Sequence, residues 1–256
     1  VGTEFRMRPG WLHCGESSPS TLPWNTVAIT PYRDGTTGET WYNAFGGDGV
    51  NWDNDFAIAI GRGALNAVKT CSYSIGIGNS AGNGAVGGHA LIALGMSAGE
   101  AASDSRDMIC MALNAGKDVS GCDYSTFIGY HAGYGAVEST EIVAIGKYVV
   151  QDALACDKSV MIGSEAGYET TGTNYTNMIG NKAGYQSLSC DYANMIGFEA
   201  GEDMADCNYV NVMGYQAGED ASGVSYSNFF GYQAGHLAKN LDESADHSYL
   251  NIMGYR

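Results

Sequence analysis

The stretch NMIGNKAGYQ (residues 177–186) returns in the chain with small changes at a fixed interval. Seventeen residues later the chain reads NMIGFEAGED (residues 194–203), and after another seventeen it reads NVMGYQAGED (residues 211–220). A catalytic site needs a given residue once, whereas a stack of structural units needs it in every unit. The 17-residue period is therefore the feature of the sequence that decides the fold.

The period is anchored by the glycine of an I-G-x-x-A-G motif, which we call the anchor glycine. Steps of 17 residues connect its copies from residue 61 to residue 231, with Ala112 in place of one glycine, and a last step of 23 residues follows. The anchor glycines are Gly61, Gly78, Gly95, Gly129, Gly146, Gly163, Gly180, Gly197, Gly214, Gly231 and Gly254. A repeat this regular predicts a solenoid of stacked turns.

The positions around the anchor glycine also repeat. The residue before it is apolar, the residue three after it is Ala with one Val, and Tyr dominates five before it. The position three before it is β-branched in the first copies and then becomes a ladder of Asn177, Asn194, Asn211, Asn228 and Asn251. Positions one and three before the glycine share one face of a strand, so we expect a buried stripe there. Stacking in register predicts hydrogen bonds between the Asn amides and stacked Tyr rings.

These patterns predict an all-β fold, a parallel β-roll or β-solenoid with two short strands and two turns in each 17-residue repeat. Residues 53–256 form the twelve-copy shaft, roughly 50 Å long at about 4.8 Å per turn, with an insertion around 236–246. Residues 1–52 hold all four Trp and all four Pro of the chain. This Trp/Pro-rich non-repeat module is expected to cap the stack or to attach it to a larger assembly.

The composition excludes several classes of protein. A net charge of −16 argues against nucleic acid and against anionic membrane surfaces as partners. A content of 45% hydrophobic residues argues against a disordered chain. The sequence also has no apolar run that approaches the length of a membrane span.

Five of the seven cysteines fall in one column of the repeat, seven residues before the anchor glycine. Within that column Cys190 and Cys207 occupy adjacent turns, where their Cα atoms would be about 5 Å apart and within reach of a disulfide. We expect a disulfide or stacked buried thiols at this pair. The sequence has no C-x-x-C spacing, so a metal site made of these cysteines is not expected.

Few residues of the sequence suggest a catalytic or metal-binding site. Carboxylates lie beside the Ala-Gly corner and could in principle hydrolyse a glycan, although solvated acids are common at turns; they are Glu165, Glu199, Glu202, Asp203, Glu219 and Asp220. A second acidic column could bind calcium; it holds Asp55, Asp123, Asp157 and Asp191. The histidines fall in different columns; they are His13, His89, His131, His236 and His247. We expect no catalytic residues, no cofactor and no metal site, and the chain is not expected to be an enzyme.

The copies EIVAIGKYV (residues 141–149) and NDFAIAIGRGA (residues 54–64) resemble the head repeats of trimeric autotransporter adhesins. Arrays of the I-G-x-x-A-G type are also similar to those of bacteriophage tail fibres. The resemblance implies a left-handed β-roll, with three chains intertwined as a homotrimer that serves as a stiff adhesive stalk. A heptad coiled coil and a membrane anchor do not follow the repeats in this sequence, which favours the phage fibre.

The expected function is therefore that of a structural fibre protein of a bacteriophage tail, located in the virion. Its partners would be further copies of itself, tail or baseplate proteins bound through residues 1–52, and a host surface glycan or protein, with no nucleic acid and no membrane insertion. The inserted loop HLAKNLDESAD (residues 236–246) is the expected place for recognition. Two alternatives stay open: the head of a bacterial surface trimeric adhesin, and a tailspike-like glycan hydrolase.

Overall fold

The computed structural model describes residues 28–33, 40–46, 58–69, 73–202, 204–205, 207, 209–219, 222, 224, 227–235 and 250–254. Its secondary structure in those ranges is all β, without a helix. The strands are β1 Ala28–Arg33, β2 Thr40–Gly46, β3 Ile58–Ile60, β4 Ile75–Ile77, β5 Leu91–Leu94, β6 Met108–Met111, β7 Thr126–Ile128, β8 Val143–Ile145, β9 Val160–Ile162, β10 Asn177–Ile179, β11 Asn194–Ile196, β12 Asn211–Met213, β13 Ser227–Phe230 and β14 Leu250–Met253.

These strands form one 14-stranded sheet in sequence order. From β2 to β14 neighbouring strands are parallel, and each repeat strand pairs with its copy one turn away, so that Met178 lies between Met161 and Met195. This confirms the predicted parallel β-solenoid of 17-residue repeats. In the turns from Lys69 to Leu188 the second strand is shorter than expected and consists of one bridged residue per turn, such as Val86, which pairs with Lys69 and with Ser103.

The sheet continues at both ends of the regular repeats. At the start, β1 and β2 form an antiparallel pair, and β2 adds to β3 in parallel with Ala44 opposite Ile58. At the far end, β13 and β14 keep their register across the long step, with Asn228 opposite Asn251. The insertion at 236–246, where we expect recognition, lies outside the described residues, as does most of the non-repeat module.

The predicted buried stripe is wrong, because the strands present their other face to the core. The middle residue of each three-residue strand points inward; Met161, Met178 and Met195 are fully buried. The residues on either side of it lie on the outer face, where Ile60 is 53% exposed. Side chains alternate along a strand, so the middle residue and its two neighbours lie on opposite faces of the sheet. In three-residue strands that are apolar on both faces, such as β3 and β9, this alternation does not say which face is turned toward the core.

The core is a narrow column whose volume is shared between two positions of each turn. Phe127 fills the middle of its strand, and a Cβ at Gly133 in the same turn would lie on its ring. Two turns with a small middle residue have a large residue at the other position: Ala144 shares its turn with Val150, and Ala59 shares its turn with Leu65. In the turns of Gly76 and Ala93 both positions are small, and the side chains of Leu65 and Leu91 fill the space instead. Close packing of the interior therefore explains why two copies of the motif have Leu or Val where the others have Gly.

This packing predicts that Gly133→Ala destabilises the solenoid much more than Gly84→Ala. Both glycines have left-handed backbone angles (φ +66° and +70°), but a Cβ at Gly84 meets nothing within 4 Å. The shared backbone strain cancels in the comparison, and the overpacking against Phe127 remains, typically about 1–3 kcal/mol. Thermal unfolding of both variants measures the difference, and equal melting temperatures would contradict this account of the core.

Each turn bends at residues with left-handed backbone angles, many of which are not glycine. Two residues after the anchor glycine φ is +56° at His131, +59° at Glu165 and +55° at Lys182. Such angles are uncommon for residues with a Cβ. They place a corner at the same position of successive turns and keep the strands in register.

Candidate functional site

One surface feature that runs along the described repeats is the outer side of the sheet, which we call the strand face. It consists of the residues one and three before each anchor position: Ile58, Ile60, Ile75, Ile77, Ile92, Leu94, Ile109, Met111, Thr126, Ile128, Val143, Ile145, Val160, Ile162, Asn177, Ile179, Asn194, Ile196, Asn211, Met213, Asn228, Phe230, Asn251 and Met253. None of these residues is charged. Ile145 is 38% exposed and Met213 is 42% exposed.

The strand face is large enough to be an interface. Twelve parallel strands spaced by about 4.8 Å give it a length of roughly 50 Å, and its width with flanking side chains is roughly 15 Å. Its area is then on the order of 800 Å², which is what each partner contributes to a standard interface. Apolar patches of more than a few hundred Å² on a protein surface usually mark interaction sites.

The strand face has two zones of different chemistry. In the apolar zone, from Ile58 to Ile162, Thr126 is the one polar residue. In the amide zone, from Asn177 to Met253, the first of the two residues that each strand places on the strand face is Asn. The amides form a ladder along the stack: Asn177 donates to Asn194 at 2.7 Å, Asn194 to Asn211 at 3.1 Å, Asn211 to Asn228 at 3.0 Å and Asn228 to Asn251 at 2.8 Å.

Aromatic ladders flank the amide zone. Tyr175, Tyr192 and Tyr209 stack with ring centroids 5.0 and 5.5 Å apart. On the other side Phe198, Tyr215 and Tyr232 stack at 5.1 Å with their rings nearly parallel. Because each ring covers the face of the next, the ladders present mainly ring edges and hydroxyl groups to the outside. They therefore widen the uncharged surface beside the strand face.

Three of the six carboxylates that suggested glycan hydrolysis come together at one corner of the turns. Oxygen atoms of Glu199, Glu202 and Glu219 lie within 4.8 Å of one another. Glu199 accepts a hydrogen bond from Gln216 at 2.9 Å, and Glu202 lies 3.5 Å from Lys182 Nζ. Glu202 raises the pKa of Lys182, with further contributions from Glu199 and Glu165.

This corner is thus built of polar contacts between neighbouring turns. Of the other candidates, Glu165 is not part of this group of three carboxylates, and Asp203 and Asp220 lie outside the described residues.

The acidic column considered for calcium has a structural role. Asp123 accepts hydrogen bonds from the backbone N–H of Arg106 at 2.7 Å and from its guanidinium, which lowers the pKa of the aspartate. Asp157 accepts from the backbone N–H of Thr140 at 2.7 Å, and Asp191 accepts from that of Asn174 at 2.9 Å. Each carboxylate therefore binds the backbone of the preceding turn. Asp55 lies outside the described residues.

The two described histidines, His89 and His131, occupy different columns of the repeat. His131 lies 3.0 Å from the amide nitrogen of Asn114 one turn earlier, and partial burial lowers its pKa. The remaining three, His13, His236 and His247, lie outside the described residues. The described pair therefore does not form a shared histidine site.

The cysteine column faces the core. Cys190 and Cys207 form a disulfide between adjacent turns, with a Cα–Cα distance of 4.5 Å. Cys122 and Cys156 in the same column, and Cys110 in a strand, are buried free thiols. Burial raises the pKa of Cys110 to about 12 and that of Cys122 to about 11. Cys71 lies outside the described residues.

These thiols are predicted to resist alkylation in the folded protein. Because their pKa values are raised to about 12 and 11, the reactive thiolate is scarcer at pH 8 than for an ordinary cysteine, and burial blocks access. A short pulse of iodoacetamide, read by peptide mass spectrometry, should leave Cys110 and Cys122 unmodified until denaturant is added. Complete labelling of the native chain at pH 8 would show that the core is open.

No family model, no curated protein and no solved structure matches the chain. Within the described ranges there is also no helix long and apolar enough to cross a membrane. Sequence reasoning missed the exposed strand face. The signal that could have found it is the complete lack of charge in two columns whose intervening column is also apolar.

Proposed function

We propose that the chain is a structural fibre protein whose solenoids pack side by side, through the strand face, into a stiff adhesive shaft of a bacteriophage tail. The observation that carries this proposal is an uncharged, largely apolar face running the length of a strongly acidic rod. An enzyme would be expected to concentrate polar and titratable groups in a concave pocket. The strand face instead offers a long repetitive surface.

Charge supports association of this face with further copies. Two chains of net charge −16 repel each other, so contact between copies is least unfavourable where no charge is present. Burying an area on the order of 800 Å² on each partner, more than half of it in the apolar zone, would supply the driving force.

The hydrogen bonds of the sheet support side-by-side packing. Strands β3 to β13 are each paired on both edges within the same chain. Copies therefore need not exchange strands, and their contact would be made by side chains. We therefore propose that three complete rods pack side by side, in place of the intertwined chains that the resemblance to autotransporter adhesins implies.

The number of copies and the setting in a virion rest on the resemblance of the repeats to autotransporter heads and phage fibres. In that setting residues 1–52 would join the shaft to other tail or baseplate proteins. A host surface glycan or protein would be the receptor.

Immunoelectron microscopy tests this function. An antibody raised against the purified chain should label the tails of phage particles from a culture that expresses the protein. Labelling of the bacterial outer surface would instead favour the adhesin alternative. Labelling of neither structure would contradict a fibre role in both settings.

A further inference from the structure

The strand face consists of two chemically different zones along its length. A partner that binds this face can therefore distinguish one end of the rod from the other. The apolar zone occupies the strands from β3 to β9, and the amide zone occupies those from β10 to β14. The two zones are unequal in length and lie at opposite ends. Turning the rod end over end therefore exchanges the two kinds of surface.

The amide ladder leaves hydrogen-bonding capacity for a partner. A carboxamide has two N–H donors and an oxygen that accepts two hydrogen bonds. Along the ladder Asn194 donates once, to Asn211, and accepts once, from Asn177. Asn211 and Asn228 repeat this pattern. One N–H and one acceptor site of Asn194, Asn211 and Asn228 therefore remain after the ladder is formed.

We propose that the amide zone fixes how neighbouring copies are oriented, so that the rods pack parallel and in register. This inference rests on the proposed function, in that it requires the copies to associate through the strand face. The partner is a second copy of the chain, because the uncharged face excludes charge-based recognition and its polar zone is self-complementary.

In a parallel arrangement amide zones face each other, and the remaining N–H and acceptor groups can pair across the interface or bind shared water. Apolar zones likewise meet apolar zones. In an antiparallel arrangement with full overlap, the five strands of the amide zone would lie against β3 to β7. Except beside Thr126, the N–H and acceptor groups that the ladder leaves over would then be buried against apolar side chains without partners, which costs free energy.

The same argument sets the register. Sliding one rod by a single turn would place Asn177 against Val160 of the partner, and each further turn would add another mismatch. The change from Val160 to Asn177 on the strand face therefore fixes the register between two rods. A strand face made only of Ile would not fix it, because every turn would be equivalent.

Cross-linking of the full chain measures the orientation. Ile58→Cys and Asn251→Cys place a reactive thiol at opposite ends of the strand face, roughly 50 Å apart at the spacing of parallel strands. After treatment with a short bismaleimide, each variant alone should give covalent dimers on a denaturing gel. A mixture of the two should give mixed dimers in about tenfold lower yield than the like pairs, as a preference of about 1.4 kcal/mol would produce. The parent chain controls for its own cysteines.

Removing the amides tests their role. The combined substitution of Asn177, Asn194, Asn211 and Asn228 by Val, with Asn251 left as the labelling site, should raise mixed cross-links to the level of like pairs. The matched control substitutes Ser103, Ser120 and Thr171 by Val in the bridge column, away from the strand face, and should keep the preference. Circular dichroism checks that both variants fold. If the Asn-to-Val variant does not fold, the cross-linking pattern of the Ile58→Cys and Asn251→Cys variants still tests the parallel orientation.

The outcomes separate the two proposals. A monomeric mass in solution overturns the proposed fibre, and the orientation inference with it. If the chains associate but mixed cross-links are as abundant as like pairs, the proposed fibre is retained and the orientation inference is overturned. An unchanged preference in the folded Asn-to-Val variant overturns the role of the amides.

Discussion

Gly180→Ala is expected to destabilise the solenoid by about 4 kcal/mol or more, which is exceptional for one methyl group. The new Cβ would lie against the backbone carbonyl of Gly197 in the next turn, at a φ of +143° that residues with a Cβ rarely adopt. That carbonyl cannot move freely, because Gly197 donates to Ile179 at 2.8 Å and Gly214 donates to Ile196 at 2.9 Å.

Gly254→Ala is the matched control. It occupies the same column with a φ of +114°, but a Cβ there meets nothing within 4 Å. At about 2–4 °C for each kcal/mol in a chain of this size, Gly180→Ala should lower the melting temperature by about 10 °C or more, well beyond the effect of the control. Ala112 shows that the column can adapt, with a φ of +116° against +135° at Gly129. Similar melting temperatures for the two variants would show that the anchor glycines are not required by contact between turns.

Ile145→Lys combined with Ile179→Lys is expected to abolish association of the chains. Both side chains are 38% exposed on the single solenoid, so a charge there can stay in water and the fold should survive. In an interface each ammonium would lose its hydration without a partner, at a cost of several kcal/mol. Because 1.4 kcal/mol corresponds to a factor of ten, association should weaken by about a thousandfold or more.

Leu154→Lys combined with Leu188→Lys is the matched control for charge and spacing. These side chains are 42% and 47% exposed, are also two turns apart and lie in the bridge column, away from the strand face. Light scattering should give the mass of one chain for the first variant and the parent mass for the control. If the control dissociates and the strand-face variant does not, the interface lies elsewhere on the rod.

The sequence alone was enough to predict the repeat, its parallel pairing and its register. A strict period forces each residue to lie over its copy, so Asn177 meets Asn194 and Tyr175 meets Tyr192 once the stack is formed. It was not enough to predict which side of the strand is buried. That choice depends on how the side chains of each turn share one narrow core, as Phe127 does with Gly133.

Two further features could not be foreseen for physical reasons. Left-handed corners at Glu165, Lys182 and Glu199 use residues that have no local preference for such angles, so the stack imposes them. The acidic column suggested a cation site because carboxylates such as Asp157 are typical ligands. Its hydrogen bond to the backbone of Thr140 depends on the neighbouring turn, which a single repeat does not reveal.

Sedimentation velocity of the full chain tests the central claim, association of complete rods through the strand face, most directly. The account predicts a mass near three times the 26.9 kDa of one chain, with the frictional ratio of an elongated particle. A single species at 26.9 kDa over a wide range of concentration would contradict it and leave a monomeric solenoid whose strand face has some other occupant.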